Sequence, residues 1–290
     1  MPLISVTKCQ GTGNDFILLD ARAVPDLPYA HIARFVCQRR FAIGADGLLV
    51  LSDPQRPAAD ASMRIFNPDG SEAEMCGNGI RCVARYLYEQ NPERTESRIE
   101  TLAGLMETRI VTWQGVRGVS VAMGEPTFRG TAPGLLDRPL QLGGESMPAY
   151  GVSMGNPHIV LFTTRDPAAY NLEEAAGEIA AWKAFDAQPN VELAQVVPDG
   201  IRMRVHERGV GETWACGTGA CAASAAAIAT GRAASPVTVQ TKGGQARVDW
   251  QGSGHPAFLT GNAELSFRTE IDVPSEVEII HARIDTSSLS

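Results

Sequence analysis

Two stretches of the chain repeat one pattern. Residues 63–81 read MRIFNPDGSEAEMCGNGIR, and residues 203–221 read MRVHERGVGETWACGTGAC. In both, an alternating apolar run comes first, a glycine-containing turn follows, and a C-G-x-G element opens a helical pattern, with Cys76 opposite Cys216. Farther upstream, Gly13-Asn14-Asp15-Phe16-Ile17 is matched at nearly the same offset by Gly155-Asn156-Pro157-His158-Ile159. Two matches at nearly one offset predict a chain built from a duplicated half.

The repeat predicts the fold class and the domain organisation. We expect an α+β protein of two pseudo-symmetric halves, each a mostly antiparallel sheet or barrel wrapped around a central helix. The first half covers residues 1–124 and carries Cys76, with a strand around 263–282 packing back on it. The second half covers residues 125–262 and carries Cys216, and the Pro- and Gly-rich stretch 124–148 is the expected linker. The helix after Cys216 is rich in Ala and Ser, so we expect the sheet to surround it closely and bury it.

Local periodicity places the other elements. Apolar residues recur at helical spacing over residues 29–39 and 172–185, and residues 80–89 and 220–230 continue helices from the two C-G-x-G turns. Short β-type runs lie at residues 17–19, 48–51, 117–122, 159–162, 237–240 and 276–280.

Composition excludes several classes of protein. The chain has 290 residues, 44% of them hydrophobic and 20% charged, which is typical of a globular protein. A net charge of −8, without a basic cluster, argues against a nucleic-acid partner. No run reaches the ~18 apolar residues of a membrane helix, and no export signal is seen, so we expect a cytoplasmic protein without a membrane partner. Its six cysteines are then expected to be reduced.

Cys76 and Cys216 are the candidates for chemistry. Each begins a predicted helix, where unpaired backbone N–H groups and the positive end of the helix dipole favour a thiolate over a thiol. The glycines that follow leave those N–H groups open to an incoming carboxylate or phosphate. The other cysteines are expected to be small buried side chains: Cys9, Cys37, Cys82 and Cys221.

Other readings of these cysteines are weaker. The Cys76/Cys82 and Cys216/Cys221 spacings lie at or beyond the edge of the usual zinc-ligand range, and no metal site is predicted. Residues 217–222 fit a dinucleotide-binding G-x-G-x-x-A pattern, but the acidic residue expected about 20 positions on is absent. No C-x-x-C redox motif occurs. No cofactor is therefore predicted.

Two activated sulfurs in equivalent halves suit one reaction type. Inversion at a carbon needs a base on one face to remove a proton and an acid on the other face to return one. The two helix N-termini would hold a substrate carboxylate as it gains enolate character.

The two cysteine segments resemble the signatures of the diaminopimelate epimerase family. Residues 67–82 are similar to its first signature and residues 207–221 to its second, and the segments 11–16, 155–158 and 190–192 match further family segments. The resemblance implies a cofactor-independent isomerase that interconverts LL- and meso-diaminopimelate, a small-molecule substrate, in lysine and peptidoglycan precursor synthesis. It also implies a homodimer, in which Phe267 is a candidate contact residue.

The resemblance also implies roles for individual residues. Cys76 and Cys216 would be the acid/base pair, and His158 and Glu207 would adjust their protonation. Side chains that suit the ammonium and carboxylate groups of a zwitterion, with backbone N–H groups for the reacting carboxylate, would bind substrate: Asn14, Asn67, Gly77, Asn78, Asn156, Asn190, Glu207, Arg208, Gly217 and Thr218.

One departure and several rival functions remain open. Some family members have Gln at the position of Gly47, so a substrate contact made by that Gln would be missing here. The rivals are a proline racemase or hydroxyproline epimerase, a phenazine-type isomerase, which lacks the cysteine pair, and a non-catalytic amino-acid-binding protein, which would not need the two cysteines.

Overall fold

The chain folds into two units. The computed structural model describes residues 3–24, 26–131, 133–182 and 185–273. Among these, unit 1 comprises residues 3–11, 15–107 and 263–273, and unit 2 comprises residues 12–14 and 108–262. The sequence predicted a first half that ends at residue 124, whereas residues 108–124 belong to unit 2. The reason is strand pairing, because Gly118–Ala122 pair with residues 258–262 of that unit.

The described chain is rich in strands, with a few helices between them. The helices are α1 (Tyr29–Val36), α2 (Gly77–Gln90), α3 (Leu172–Ala180) and α4 (Gly217–Ala229), with a short 3-10 turn at Pro167–Ala169. The strands are β1 (Ile4–Gly11), β2 (Asn14–Asp20), β3 (Gly47–Ser52), β4 (Ala61–Phe66), β5 (Glu72–Ala73), β6 (Glu96–Thr101), β7 (Gly104–Trp113), β8 (Val116–Ala122), β9 (Thr127–Arg129), β10 (Leu140–Leu142), β11 (Glu145–Met147), β12 (Ala149–Ser153), β13 (Pro157–Phe162), β14 (Asn190–Val197), β15 (Gly200–Glu207), β16 (Gly211–Thr213), β17 (Val237–Thr241), β18 (Gly244–Asp249), β19 (Phe258–Asn262) and β20 (Glu264–Ile271).

The two units share one topology, which confirms the predicted repeat. In unit 1, β2 pairs parallel to β3, β3 antiparallel to β4, β4 antiparallel to β5, and β4 parallel to β6. In unit 2, β13, β14, β15, β16 and β17 repeat the same sequence of pairings. Parallel neighbours occur where a helix makes the connection, since a crossover of this kind needs a dozen or more residues. The other pairings are mostly antiparallel, so the predicted α+β class is correct.

Helix α4 is the buried centre of unit 2. Residues 219–227, nearly all Gly, Ala or Ser, are buried, as the composition predicts. Strands on several sides contact this helix, because side chains with at most one carbon atom let a sheet approach closely. Helix α2 has the equivalent place in unit 1, and its buried residues include Ile80, Val83 and Leu87.

Several sequence predictions differ from the structure. The predicted linker at 124–148 is wrong: it contains β9, β10 and β11, and Leu140, Leu142 and Met147 lie in the core of unit 2. Alternate apolar residues buried by pairing outweigh the turn-forming Gly and Pro around them. Helices α1 and α3 end earlier than predicted. Strand β20 pairs antiparallel with β1 of unit 1, from Ile4 opposite Ile271 onward, while the predicted strand at 276–280 lies outside the described residues. Within the described residues, no helix is both long and apolar enough to cross a membrane.

Candidate active site

Each unit places a cysteine directly before its central helix, as predicted. Cys76 caps α2 and Cys216 caps α4, both with extended backbone (φ −139°, ψ 118° and φ −122°, ψ 118°). Each sulfur accepts a hydrogen bond at 3.4 Å from the backbone N–H three residues on, which belongs to Gly79 and Gly219 respectively. The sulfurs therefore stand beside N–H groups that have no acceptor within their helix. Cys76 is half-buried and Cys216 is buried.

The turn after Cys76 contains a buried cation. Arg81 is fully buried and donates from Nη2 to Asn78 Oδ1 at 2.9 Å and from Nη1 to the Gly77 carbonyl at 3.4 Å. A guanidinium has five donors in a fixed geometry, so it holds the Asn78 side chain and the turn together. The residue at the equivalent position of unit 2 is Cys221, so the two turns differ in charge.

A paired hairpin precedes each cysteine. In unit 1, Arg64 donates to both carboxylate oxygens of Glu72, at 2.6 and 2.7 Å. In unit 2, Arg204 binds Glu212 in the same two-pronged way, at 2.8 Å for both contacts. The guanidinium beside Glu212 lowers the pKa of that carboxyl to about 2, and Lys242 also contributes. The repeated ion pair ties each strand to the segment that leads to the cysteine.

Three other positions named from the sequence lie at strand ends, two in unit 1 and one in unit 2. Asn67 follows β4, and its Nδ2 donates to the Ser71 hydroxyl at 2.9 Å. Gly47 begins β3, where an added Cβ would lie 3.1 Å from the Phe66 carbonyl oxygen. Gly47 pairs with Phe16 in the parallel register of unit 1, and Asn190 pairs with His158 in the parallel register of unit 2. Gly47 therefore has the position in unit 1 that Asn190 has in unit 2. Asn14 begins β2 and belongs to unit 2.

A chain of hydrogen bonds leads from a buried carboxylate to Cys216. His158 is fully buried on β13, and its Nδ1 lies 2.7 Å from Glu192 Oε1 on the neighbouring strand. Its Nε2 lies 3.1 Å from Asn156 Oδ1, and Asn156 Nδ2 is 3.4 Å from the Thr218 hydroxyl. That hydroxyl is 3.4 Å from Cys216 Sγ. The predicted residues Asn156, His158, Thr218 and Cys216 are thus brought together within unit 2.

The other predicted residues of unit 2 lie at the end of β15, the start of β14 and the start of α4. Asn190 is buried, and its Oδ1 accepts the Arg208 backbone N–H at 2.9 Å. This contact fixes the turn from which the exposed Arg208 side chain extends. The Glu207 carboxyl accepts a hydrogen bond from the Thr213 hydroxyl. Gly217 is buried in the first turn of α4.

Burial changes the acid–base balance predicted for unit 2. It raises the pKa of the Cys216 thiol well above its usual range, and the nearby Glu207 and Glu192 carboxylates raise it further. The hydrogen bonds from Thr218 and Gly219 oppose this shift but are weaker. The helix N-terminus predicted a thiolate at Cys216, whereas desolvation and two negative charges favour the thiol here. Burial likewise raises the pKa of Glu207, against hydrogen bonds that lower it.

Comparison with known proteins shows which family this chain matches. A family model described as diaminopimelate epimerase matches residues 6–129 and 150–266. A diaminopimelate epimerase of Pelotomaculum thermopropionicum is 46% identical over 276 residues, which cover 91% of this chain and 97% of the relative. That of Moorella thermoacetica is 45% identical over 274 residues, covering 90% and 96%. The chain belongs to the diaminopimelate epimerase family. As a member of this family of amino-acid epimerases, it is an isomerase.

Solved structures show how widely the fold of this epimerase family is used. A phenazine biosynthesis protein of the PhzF family from Bacillus anthracis has a TM-score of 0.72 at 17% identity, covering 94% of this chain and all of that one. A hydroxyproline epimerase from Agrobacterium vitis has a TM-score of 0.69 at 18% identity, covering 95% and 94%. At these identities the likeness shows the fold alone. Among the described residues of this epimerase family member, no three His, Cys, Asp or Glu side chains are grouped to hold a metal ion.

Some residues around the cysteines of this family member were not among the residues predicted from the sequence. The Arg64–Glu72 and Arg204–Glu212 pairs carried a signal, because arginine and glutamate recur at the same offset in both repeats. Glu192 lay in a matched segment, but its contact with a residue 34 positions away leaves no local pattern.

Proposed function

We propose that the enzyme interconverts LL- and meso-diaminopimelate by proton transfer at the α-carbon, with Cys76 and Cys216 as the acid/base pair and without a cofactor. The observation that carries the proposal is the shared capping geometry, since each sulfur accepts the N–H of a glycine three residues on at 3.4 Å. Membership of the epimerase family supports the same substrate.

In the proposed reaction, each sulfur works on one face of the α-carbon. A thiolate removes the α-proton and becomes a thiol, and the electron pair left behind spreads into the adjoining carboxylate. The other thiol then delivers its proton to the opposite face and becomes a thiolate, so the configuration inverts and the proton count balances. The raised pKa of Cys216 suits this thiol to act as the acid in one direction of the reaction, and in the reverse direction the two cysteines exchange roles.

The same proposal assigns the groups that bind substrate. The backbone N–H groups of Gly77, Asn78, Gly217 and Thr218 would hold the reacting carboxylate, where fixed donors stabilise charge that develops in the transition state. The amino groups and the distant carboxylate would be bound by Asn14, Asn67, Asn156, Asn190, Glu207 and Arg208. Arg208 suits a carboxylate because its planar guanidinium can make two parallel hydrogen bonds.

Two further residues, Glu207 and His158, would adjust the protonation of the cysteines. The Glu207 carboxylate raises the pKa of Cys216, and so keeps this residue protonated until it is needed as the acid. His158 reaches the same sulfur through Asn156 and Thr218.

Solvent exchange tests the proposal. The enzyme is incubated with LL-diaminopimelate in deuterium oxide, and label at the α-carbon is followed together with formation of the meso isomer. We expect exchange with diaminopimelate and none with proline. Exchange with proline would instead indicate a proline racemase. Cys76→Ser and Cys216→Ser should each lower epimerisation by at least the 10²–10⁴-fold typical of general acid–base catalysis.

Cys37→Ser is the matched control. Cys37 lies in the hydrophobic core of unit 1, at the C-terminal end of α1 rather than at the start of a central helix, so the proposal gives it no part in proton transfer. Its turnover should stay close to that of the unmodified enzyme. Unchanged turnover in either of the other serine variants would contradict the acid/base assignment.

The proposal includes a cellular role and an assembly. The reaction would serve lysine and peptidoglycan precursor synthesis in the cytoplasm. We also propose a homodimer with Phe267 at its contact, because this side chain on β20 is 50% exposed. Light scattering should show a dimer that Phe267→Glu weakens, and a monomeric unmodified enzyme would exclude it.

A further inference from the structure

Glu192 is a buried carboxylate that the proposed mechanism leaves without a role. Its side chain is fully inaccessible, and Oε1 lies 2.7 Å from His158 Nδ1. Its other oxygen, Oε2, has no hydrogen-bond partner among the described residues. Buried polar atoms are nearly always paired, so a half-satisfied carboxylate in a core calls for an explanation other than stability.

The contact with His158 defines the state of the imidazole ring. An ionised carboxylate can only accept hydrogen bonds, so the proton of the pair lies on Nδ1. The ring is thereby oriented with Nε2 toward Asn156 Oδ1, which can only accept, so this contact is a hydrogen bond when Nε2 carries a proton as well. A carboxylate that accepts from one ring nitrogen fixes the orientation of the ring, as it does for metal-bound histidines.

Glu192 also lies against the turn that carries Cys216. A Cβ added to Gly219 would come within 2.7 Å of Glu192 Oε1, and the Gly219 N–H is the donor to the Cys216 sulfur. Its negative charge is close enough to raise the pKa of the Cys216 thiol. The other ionisable groups that face this cluster are His158 on β13, Glu207 on β15 and Cys216 itself.

We propose that Glu192 is a positioning residue, which holds His158 with Nδ1–H toward Oε1 and Nε2 toward Asn156 and thereby sets the hydrogen bonds at Cys216. Asn156 and Thr218 transmit this orientation, since they are the successive partners between the ring and the sulfur. Glu192 makes no contact with substrate in this scheme. The inference rests on the proposed function of Cys216 as an acid/base residue.

Glu192→Gln tests the proposal because it removes the charge and keeps the size. A glutamine can donate as well as accept, so it no longer enforces a proton on Nδ1. We expect kcat to fall about 10- to 100-fold, the usual effect of losing such a supporting partner. We expect KM to change by less than about threefold, and the pH dependence of kcat to shift.

Glu173→Gln is the matched control. Glu173 also pairs with a histidine, at 3.1 Å from His206 Nε2, but its side chain is 79% exposed. The same chemical change there should leave kcat and the pH profile unaltered. A fall of equal size in the control would overturn the inference.

Nitrogen-15 NMR of histidine-labelled enzyme provides a readout that does not depend on activity. The chain has five histidines, and loss of one signal in His158→Gln assigns the ring. We expect Nδ1 of His158 to be protonated in the unmodified enzyme, and this measurement stands even if the Glu192 variant does not fold. A neutral ring protonated only on Nε2 would overturn the proposal.

The outcomes separate this inference from the proposed function. If the unmodified enzyme fails to exchange the α-proton of diaminopimelate, the proposed function is wrong, whatever the histidine spectrum shows. If it exchanges normally while Glu192→Gln keeps its kcat and pH profile, the positioning role alone is wrong. A variant that loses stability and kcat together with an unchanged His158 signal would show a structural role and also overturn it.

Discussion

Replacing the glycine three residues after each catalytic-site cysteine by alanine should destabilise the protein more in unit 2 than in unit 1. In Gly219→Ala, the added Cβ would lie 2.7 Å from Glu192 Oε1 and 3.3 Å from Cys216 Cβ. In Gly79→Ala, the nearest atom is Leu49 Cδ2 at 2.8 Å, while Cys76 Cβ is at an ordinary 3.5 Å. Both glycines lie in the first turn of a helix, and neither has a positive φ, so the comparison isolates the close contacts.

The magnitudes follow from which atom must move. Alanine favours a helix interior over glycine by about 1 kcal/mol, and this gain is common to both variants. Overpacking a well-packed core costs typically about 1–3 kcal/mol. The end of the Leu49 side chain can turn away, so we expect Gly79→Ala to remain within about 1 kcal/mol of the unmodified protein. The Glu192 carboxylate is held by His158 and cannot turn away, so the upper part of that range, about 2–3 kcal/mol, applies to Gly219→Ala. Net of the helix gain, this variant should lose about 1–2 kcal/mol.

Urea denaturation of the two variants and the unmodified protein measures the difference. A lower midpoint with an unchanged slope is expected for Gly219→Ala, because the folded state is strained and the surface exposed on unfolding is the same. The reasoning is refuted if Gly219→Ala is as stable as the unmodified protein, or if Gly79→Ala loses as much.

Three other substitutions follow from the charges and contacts of unit 2. Because the folded-state pKa of Glu207 is raised, ionisation of this carboxyl destabilises the folded state as the pH rises above the pKa of the unfolded state. At pH 8, Glu207→Gln should therefore melt no lower than the unmodified protein, although its epimerisation rate should fall. A lower melting temperature would contradict this. The folded-state pKa of Glu212 is lowered to about 2, so its pair with Arg204 should stabilise the protein above the unfolded-state pKa and lose this effect as the pH falls toward 2. In melting curves recorded over a pH series, Glu212→Gln should lose less stability at acid pH than the unmodified protein. An unaltered series would count against this. Asn190→Ala should raise KM for diaminopimelate more than it lowers kcat, because it frees the turn that carries Arg208; steady-state kinetics with an unchanged KM would argue otherwise.

Local signals in the sequence sufficed for the repeat and for the position of both cysteines. A C-G-x-G element after an alternating run marks a helix start in either unit, because glycine permits the close approach that the first turn makes to its neighbours. The small residues of α4 likewise predicted a buried helix, since nothing longer fits where strands approach from several sides. These features depend on residues close together in the chain.

Long-range packing accounts for what local patterns could not show. The Pro- and Gly-rich stretch at 124–148 looked like a linker, yet pairing and burial of Leu140 and Leu142 make it part of unit 2. The Cys216 thiol was expected to ionise readily because of its helix, but burial beside Glu192 and Glu207 reverses the shift. Residues close together in the chain determine where a helix begins. Desolvation and the charges that surround a group depend instead on strands brought together from distant parts of the chain.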